Sequence, residues 1–65
     1  MRIFLNGDAR DIDAGTLDVA LNVLGFRDAV VATALNGRFV AKGARPATAL
    51  AEGDTIEVVA PLQGG

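Results

Sequence analysis

A chain of 65 residues supplies one domain, and a domain this small buries only about 60% of the surface its unfolded chain would expose, leaving little material for walls around an enclosed active site. With 51% hydrophobic and 22% charged residues the composition is that of an ordinary globular domain, which excludes disorder, and the absence of cysteine removes disulfides and thiolate metal sites as staples. A net charge of -2 gives no general electrostatic support to nucleic acid or to an anionic membrane surface, so neither is expected as a partner.

The start, "MRIFLNG", has one arginine and a short apolar run ahead of Asn6, far short of a signal-peptide core or a membrane span, so a cytoplasmic protein is expected. Arg2-Ile3-Phe4-Leu5 is rich in strand formers and runs into Asn6-Gly7, a strong two-residue hairpin signal. The return strand is expected in "ARDIDA", where Ile12 is the main apolar residue and Arg10, Asp11 and Asp13 suggest a solvated edge. A helix should open at Gly15-Thr16, with Thr16 as N-cap and Asp18 near the positive end of the helix dipole. Leu17, Ala20, Leu21 and Leu24 fall at i, i+3, i+4 and i+7 and form one face that must pack against something. Gly25 should end the helix in the left-handed conformation, with Phe26 folding back on Leu21.

From Val30 to Leu35 larger residues alternate with alanines at Ala32 and Ala34, and a strand packed on both faces is expected. Asn36-Gly37 gives a second two-residue turn and Arg38-Phe39-Val40 a return strand. Residues Ala41 to Glu52 are irregular, with "PATAL" expected to form one helical turn that carries Leu50 into the core. After the turn Glu52-Gly53-Asp54 comes the last strand, Thr55 to Val59, with Ile56 and Val58 on one face and Glu57 and Val59 on the other. Pro61, lacking a donor, should end it. Strands around one helix make an α+β sheet of about five strands, with the helix across one face, residues 1–60 as the domain and 61–65 as a flexible tail.

Chemistry-bearing residues are few. There is no Cys, His, Tyr or Trp, and the hydroxyls are those of Thr16, Thr33, Thr48 and Thr55, none with a base beside it in sequence. General acid–base work would fall to Asp, Glu or Lys, in a domain that offers little burial to shift a pKa, so a non-enzyme is expected. Asp8, Asp11 and Asp13 lack the glycine and terminal glutamate of a calcium-binding loop and read as solvated carboxylates, so no metal is expected. Arg38, Lys42 and Arg45 form a basic cluster that serves either solubility or docking to an acidic partner. Gly64 and Gly65 close no helix and join no strand; on the residues alone they fit a frayed terminus and a signal equally.

The segments "MRIFLNG", "AGTLDVAL", "VATALNGRFV" and "EGDTIEVVAPLQGG", in that order, resemble the ThiS family, the sulfur carriers of thiamine biosynthesis, which have the ubiquitin-like β-grasp fold. The likeness covers nearly the whole chain and is most specific in the final Gln-Gly-Gly. Two departures stand out: Thr33 replaces a usual aliphatic residue, and "AKGARPATA" departs from a frequent Pro-Arg-x-x-Trp-like stretch. The resemblance implies that the chain performs no catalysis and binds no cofactor of its own. An E1-like adenylyltransferase (ThiF-like) adenylates the carboxylate of Gly65 with ATP and magnesium, and sulfur from a donor such as a cysteine desulfurase replaces AMP. The thiocarboxylate then gives its sulfur to thiazole synthase (ThiG-like).

In that scheme Leu62, Gln63 and Gly64 thread a partner's channel, and an extended run from Pro61 to Gly65 would reach about 16 to 18 Å from the sheet. Partner docking is expected on the sheet face away from the helix, at Ala32, Ala34 and Val59, and at Arg38, Lys42 and Arg45. The chain alone is expected to be a monomer. The small subunit of molybdopterin synthase shares the fold and the Gly-Gly end, and a ubiquitin-like modifier would use the same activated carboxylate, so both stand as alternatives.

Overall fold

The computed structural model describes residues 1–60, and the tail assigned to 61–65, with Pro61, Leu62, Gln63, Gly64 and Gly65, lies outside the described residues. The elements are β1 (Arg2–Leu5), β2 (Asp8–Asp11), α1 (Leu17–Val23), β3 (Ala32–Leu35), β4 (Arg38–Val40), a 3-10 helix (Lys42–Ala47) and β5 (Thr55–Val59). They form one mixed sheet in the order β2-β1-β5-β3-β4. The neighbours β1 and β5 run parallel; β1–β2, β3–β4 and β3–β5 are antiparallel.

Both Asn-Gly pairs adopt the mirror-image turn that matches strand twist, with φ of 49° and 88° at Asn6 and Gly7 and 51° and 82° at Asn36 and Gly37. The helix is capped as its sequence dictates. Thr16 Oγ1 accepts the Val19 N–H at 3.4 Å, and at the other end the Phe26 N–H donates to the Leu21 carbonyl at 2.8 Å with Gly25 at φ 97°, a full Schellman closure. Leu17, Ala20 and Leu21 face the sheet and meet Ile3, Leu5, Ile56 and Val58 in one core, with Ile12 and Ala14 closing its end. Alternation along β1 and β5 supplies those inward residues, as a half-buried strand requires.

Three expectations are corrected. The third strand begins at Ala32, which makes the last β3–β5 pair among the described residues, with Val59; Val30, before it, is 79% exposed. That strand is also packed on one face only: Thr33 lies in the core while Ala32 is exposed, because α1 covers one side of the sheet. The helical turn expected in "PATAL" falls earlier, at Lys42–Ala47. Residues 48–50 instead pair with the run into α1, where the Leu17 N–H donates to Thr48 O at 2.9 Å and the Leu50 N–H to Gly15 O at 3.0 Å. This pairing is what brings Leu50 against the core.

The last strand and the open sheet face

The central strand β5 leads toward the C-terminus, and the described chain ends one residue past it, at Ala60. It is held along both edges, by β1 through Phe4↔Thr55 and Leu5↔Ile56 and by β3 from Leu35↔Ile56 to Ala32↔Val59. The side chains of the two turn asparagines add to this. Asn36 Oδ1 accepts the Thr55 N–H at 2.9 Å while its Nδ2 donates to Asp54 Oδ1 at 3.0 Å. Asn6 Oδ1 accepts the Val58 N–H at 2.9 Å and its Nδ2 donates to the Val58 carbonyl at 3.1 Å. The sequence marks these asparagines as turn formers, and nothing in it shows that their amides reach β5, 52 residues from Asn6 and 19 from Asn36, since those contacts depend on the parallel β1–β5 and antiparallel β3–β5 pairings.

Ala32, Ala34 and Val59 share the face turned away from α1, as their spacing predicts. Ala32 pairs with Val59 and Ala34 with Phe39, so Phe39 joins the same face. Val59 is 63% exposed and Phe39 74% exposed, which makes an uncovered apolar strip bordered by the exposed Glu57, the partner of Ala34 on β5. Where β5 ends, Val30, Val31, Ala32, Val59 and Ala60 line a shallow hollow of about 280 Å³. Phe39 was missed as a surface residue, yet its position is legible. A two-residue turn at 36 and 37 sets Leu35 opposite Arg38 and Ala34 opposite Phe39.

The basic cluster does not form a patch. Arg38 pairs with Leu35, on the side of the sheet that α1 covers, and is exposed at the β4 edge. Lys42 is exposed at the start of the 3-10 helix. Arg45 is a correction: it is buried, at 7% exposure, and is no docking residue in this fold. Its Nε donates to Thr33 Oγ1 at 3.0 Å, its Nη2 to the Val31 carbonyl at 2.7 Å, and the Thr33 hydroxyl donates onward to Val40 O at 2.9 Å. A buried guanidinium needs such acceptors because it cannot shed its charge. The two departures from the family pattern thus meet in one network, with a hydroxyl at 33 answering an arginine at 45.

Three of the four threonine hydroxyls are committed to structure: Thr16 as the helix cap, Thr33 in the Arg45 network, and Thr48 donating to Ala44 O at 2.8 Å. Among the described residues no group of His, Cys, Asp or Glu is placed to hold a metal ion, and no helix is long and apolar enough to cross a membrane.

The family model described as "ThiS family" matches residues 3–65 of this chain. The sulfur carrier protein ThiS of Thermus thermophilus is 36% identical over 63 residues, which cover 97% of this chain and 98% of that protein. A thiazole synthase of Magnetococcus marinus is 42% identical over 66 residues, and there the chain, though matched in full, spans only 20% of the relative's length. A crystal structure of the thiamine biosynthesis protein ThiS of Geobacter metallireducens superposes with a TM-score of 0.79 at 32% identity, each chain covered in full. A solution structure of a thiamine biosynthesis protein from the same organism gives a TM-score of 0.78 at 26% identity, covering 100% of this chain and 88% of that one. The likeness over the whole chain identifies the five-stranded mixed sheet with its helix as a β-grasp fold.

Proposed function

The chain belongs to the ThiS family, the sulfur carriers of thiamine biosynthesis, and on that premise we propose that it carries sulfur on the carboxylate of Gly65. The observation that carries this is the match to a sulfur carrier over 97% of this chain and 98% of the relative. The family match runs to residue 65 and so includes the Gly64-Gly65 pair. In the proposed sequence a carboxylate oxygen of Gly65 attacks the α-phosphate of ATP, held with magnesium on an E1-like enzyme, and pyrophosphate leaves. The outer sulfur of a cysteine persulfide from a desulfurase then attacks the acyl carbon and AMP leaves. A thiol reductant cleaves the resulting acyl disulfide to free the thiocarboxylate. The acceptor is a thiazole synthase, a choice supported by the relative of that name, one fifth of which resembles this chain. The chain's own residues supply reach and recognition rather than catalysis, in keeping with hydroxyls that cap, bridge and brace the fold.

Intact-mass measurement after incubation with ATP, an E1-like activating enzyme and a sulfur donor tests this. Replacement of one oxygen by sulfur is the expected result. Appearance of the chain attached to other proteins would make it a modifier instead, and an unchanged mass would refute the proposal.

The apolar strip of Ala32, Ala34, Phe39 and Val59 is proposed as the surface that docks the activating enzyme, because it is uncovered and adjoins the end of β5. Phe39→Asp is expected to weaken that complex roughly a hundredfold, as loss of a buried aromatic anchor does, with little effect on unfolding because the side chain lies outside the core. A titration in which Phe39→Asp binds like the unaltered protein would refute this placement. Arg38→Glu and Lys42→Glu, both away from that strip, test in the same titration the docking role expected of the two exposed basic residues, with a smaller, salt-dependent loss expected.

A further inference from the structure

The β1–β5 pairing ends at Leu5↔Ile56, because β1 turns away at Asn6-Gly7 while β5 runs on to Val59. Peptide groups alternate sides along a strand. The Ile56 carbonyl accepts from the Asn6 N–H at 2.9 Å, on the β1 side, so Val58 directs its N–H and C=O to that side as well. With β1 gone, both groups would lack strand partners. The primary amide of Asn6 meets both, at 2.9 and 3.1 Å, and takes the place of the missing peptide. Asn also tolerates the left-handed φ of 49° that the turn imposes.

We infer that Asn6 is a positioning residue for the C-terminal reaction: its amide extends the sheet by one rung and so fixes Val58, and with it the place and direction in which the chain leaves β5. This rests on the proposed sulfur-carrier chemistry at Gly65. At the opposite end of β5, Asn36 makes two comparable side-chain bonds, to Thr55 and Asp54, in the same kind of turn. Asn36 therefore offers an internal control, with similar bonds at the end of the strand remote from the C-terminus.

The test compares Asn6→Gly with Asn36→Gly. Glycine keeps each turn, since it takes positive φ freely, and deletes only the amide. Both variants are expected to lose similar stability. In Asn6→Gly the Val58 amide should exchange with solvent at least about tenfold faster, and kcat/KM for ATP-dependent adenylation by the activating enzyme should fall roughly tenfold, mostly through KM, as loss of a hydrogen-bonded pair predicts. Asn36→Gly should leave kcat/KM within about twofold of the unaltered protein, since bonds far from the exit act through stability alone. Equal kcat/KM in the two variants, whether both reduced or both normal, would overturn the positioning role. Failure of the unaltered chain to be adenylated would overturn the sulfur-carrier chemistry instead. Val58 exchange decides the clamp separately, and an unchanged rate in Asn6→Gly would overturn it.

Discussion

Gly64→Val, and separately deletion of Gly65, are each expected to reduce thiocarboxylate formation by roughly a hundredfold or more, since a displacement of even about 1 Å at a reacting group can cost that much. Neither change should shift the thermal unfolding midpoint. Deleting Gly65 draws the reacting carboxylate back by about 3.3 to 3.6 Å, one extended residue. Valine at 64 adds a β-branched side chain where a partner's passage must admit the backbone, and it closes the φ > 0 conformations that glycine allows. Among the described residues the buried core is built from Ile3 through Val58, and both changes lie outside it in sequence. Intact mass after activation and a thermal melt on the same samples check both halves. Normal thiocarboxylate yield in either variant would refute a threading role for the glycines.

Most of the fold is legible wherever one local rule decides the outcome. The two Asn-Gly turns, the Thr16 cap, the Gly25-Phe26 closure and β5 with its inward Ile56 and Val58 all follow from short-range chemistry. Misses occur where long-range pairing decides. Val30 and Val31 have the composition of a strand but among the described residues no partner strand reaches them, and residues 48–50 pair with 15–17 at the entry to α1 rather than forming their own helical turn.

The candidate site divides along the same line. Alternation places Ala32, Ala34 and Val59 on one face from the sequence alone. The amides of Asn6 and Asn36 act across the sheet, so only the strand order reveals them. Arg45 is the sharpest case. Three basic residues close in sequence suggest a surface cluster, yet Arg45 turns inward because Thr33 and the Val31 carbonyl offer acceptors beneath the sheet. Charge in the sequence does not reveal its own acceptors, and a buried arginine stays hidden until they are located.

That network makes a stability prediction large for a domain whose total is about 5 kcal/mol. Thr33→Val keeps the shape of the side chain but strands the buried Nε of Arg45 without its acceptor, and should cost about 3 kcal/mol, the scale for breaking a buried charged interaction from one side. Arg45→Leu removes the charge and leaves the Thr33 hydroxyl on Val40 O and the half-buried Val31 carbonyl to water, so it should cost less, about 1 kcal/mol. With Thr33→Val and Arg45→Leu together, apolar groups replace both partners and stability should return to within about 1 kcal/mol of the unaltered protein, as buried polar pairs replaced by hydrophobes often do. Chemical denaturation of all four proteins closes the cycle. Single costs that simply add in the double variant would show that the pair is not coupled. The double variant also tests the corrected place of Arg45, because the Ala32, Ala34 and Phe39 face is untouched by it. Binding to the activating enzyme should therefore be unchanged, and a loss of affinity would return Arg45 to the docking surface.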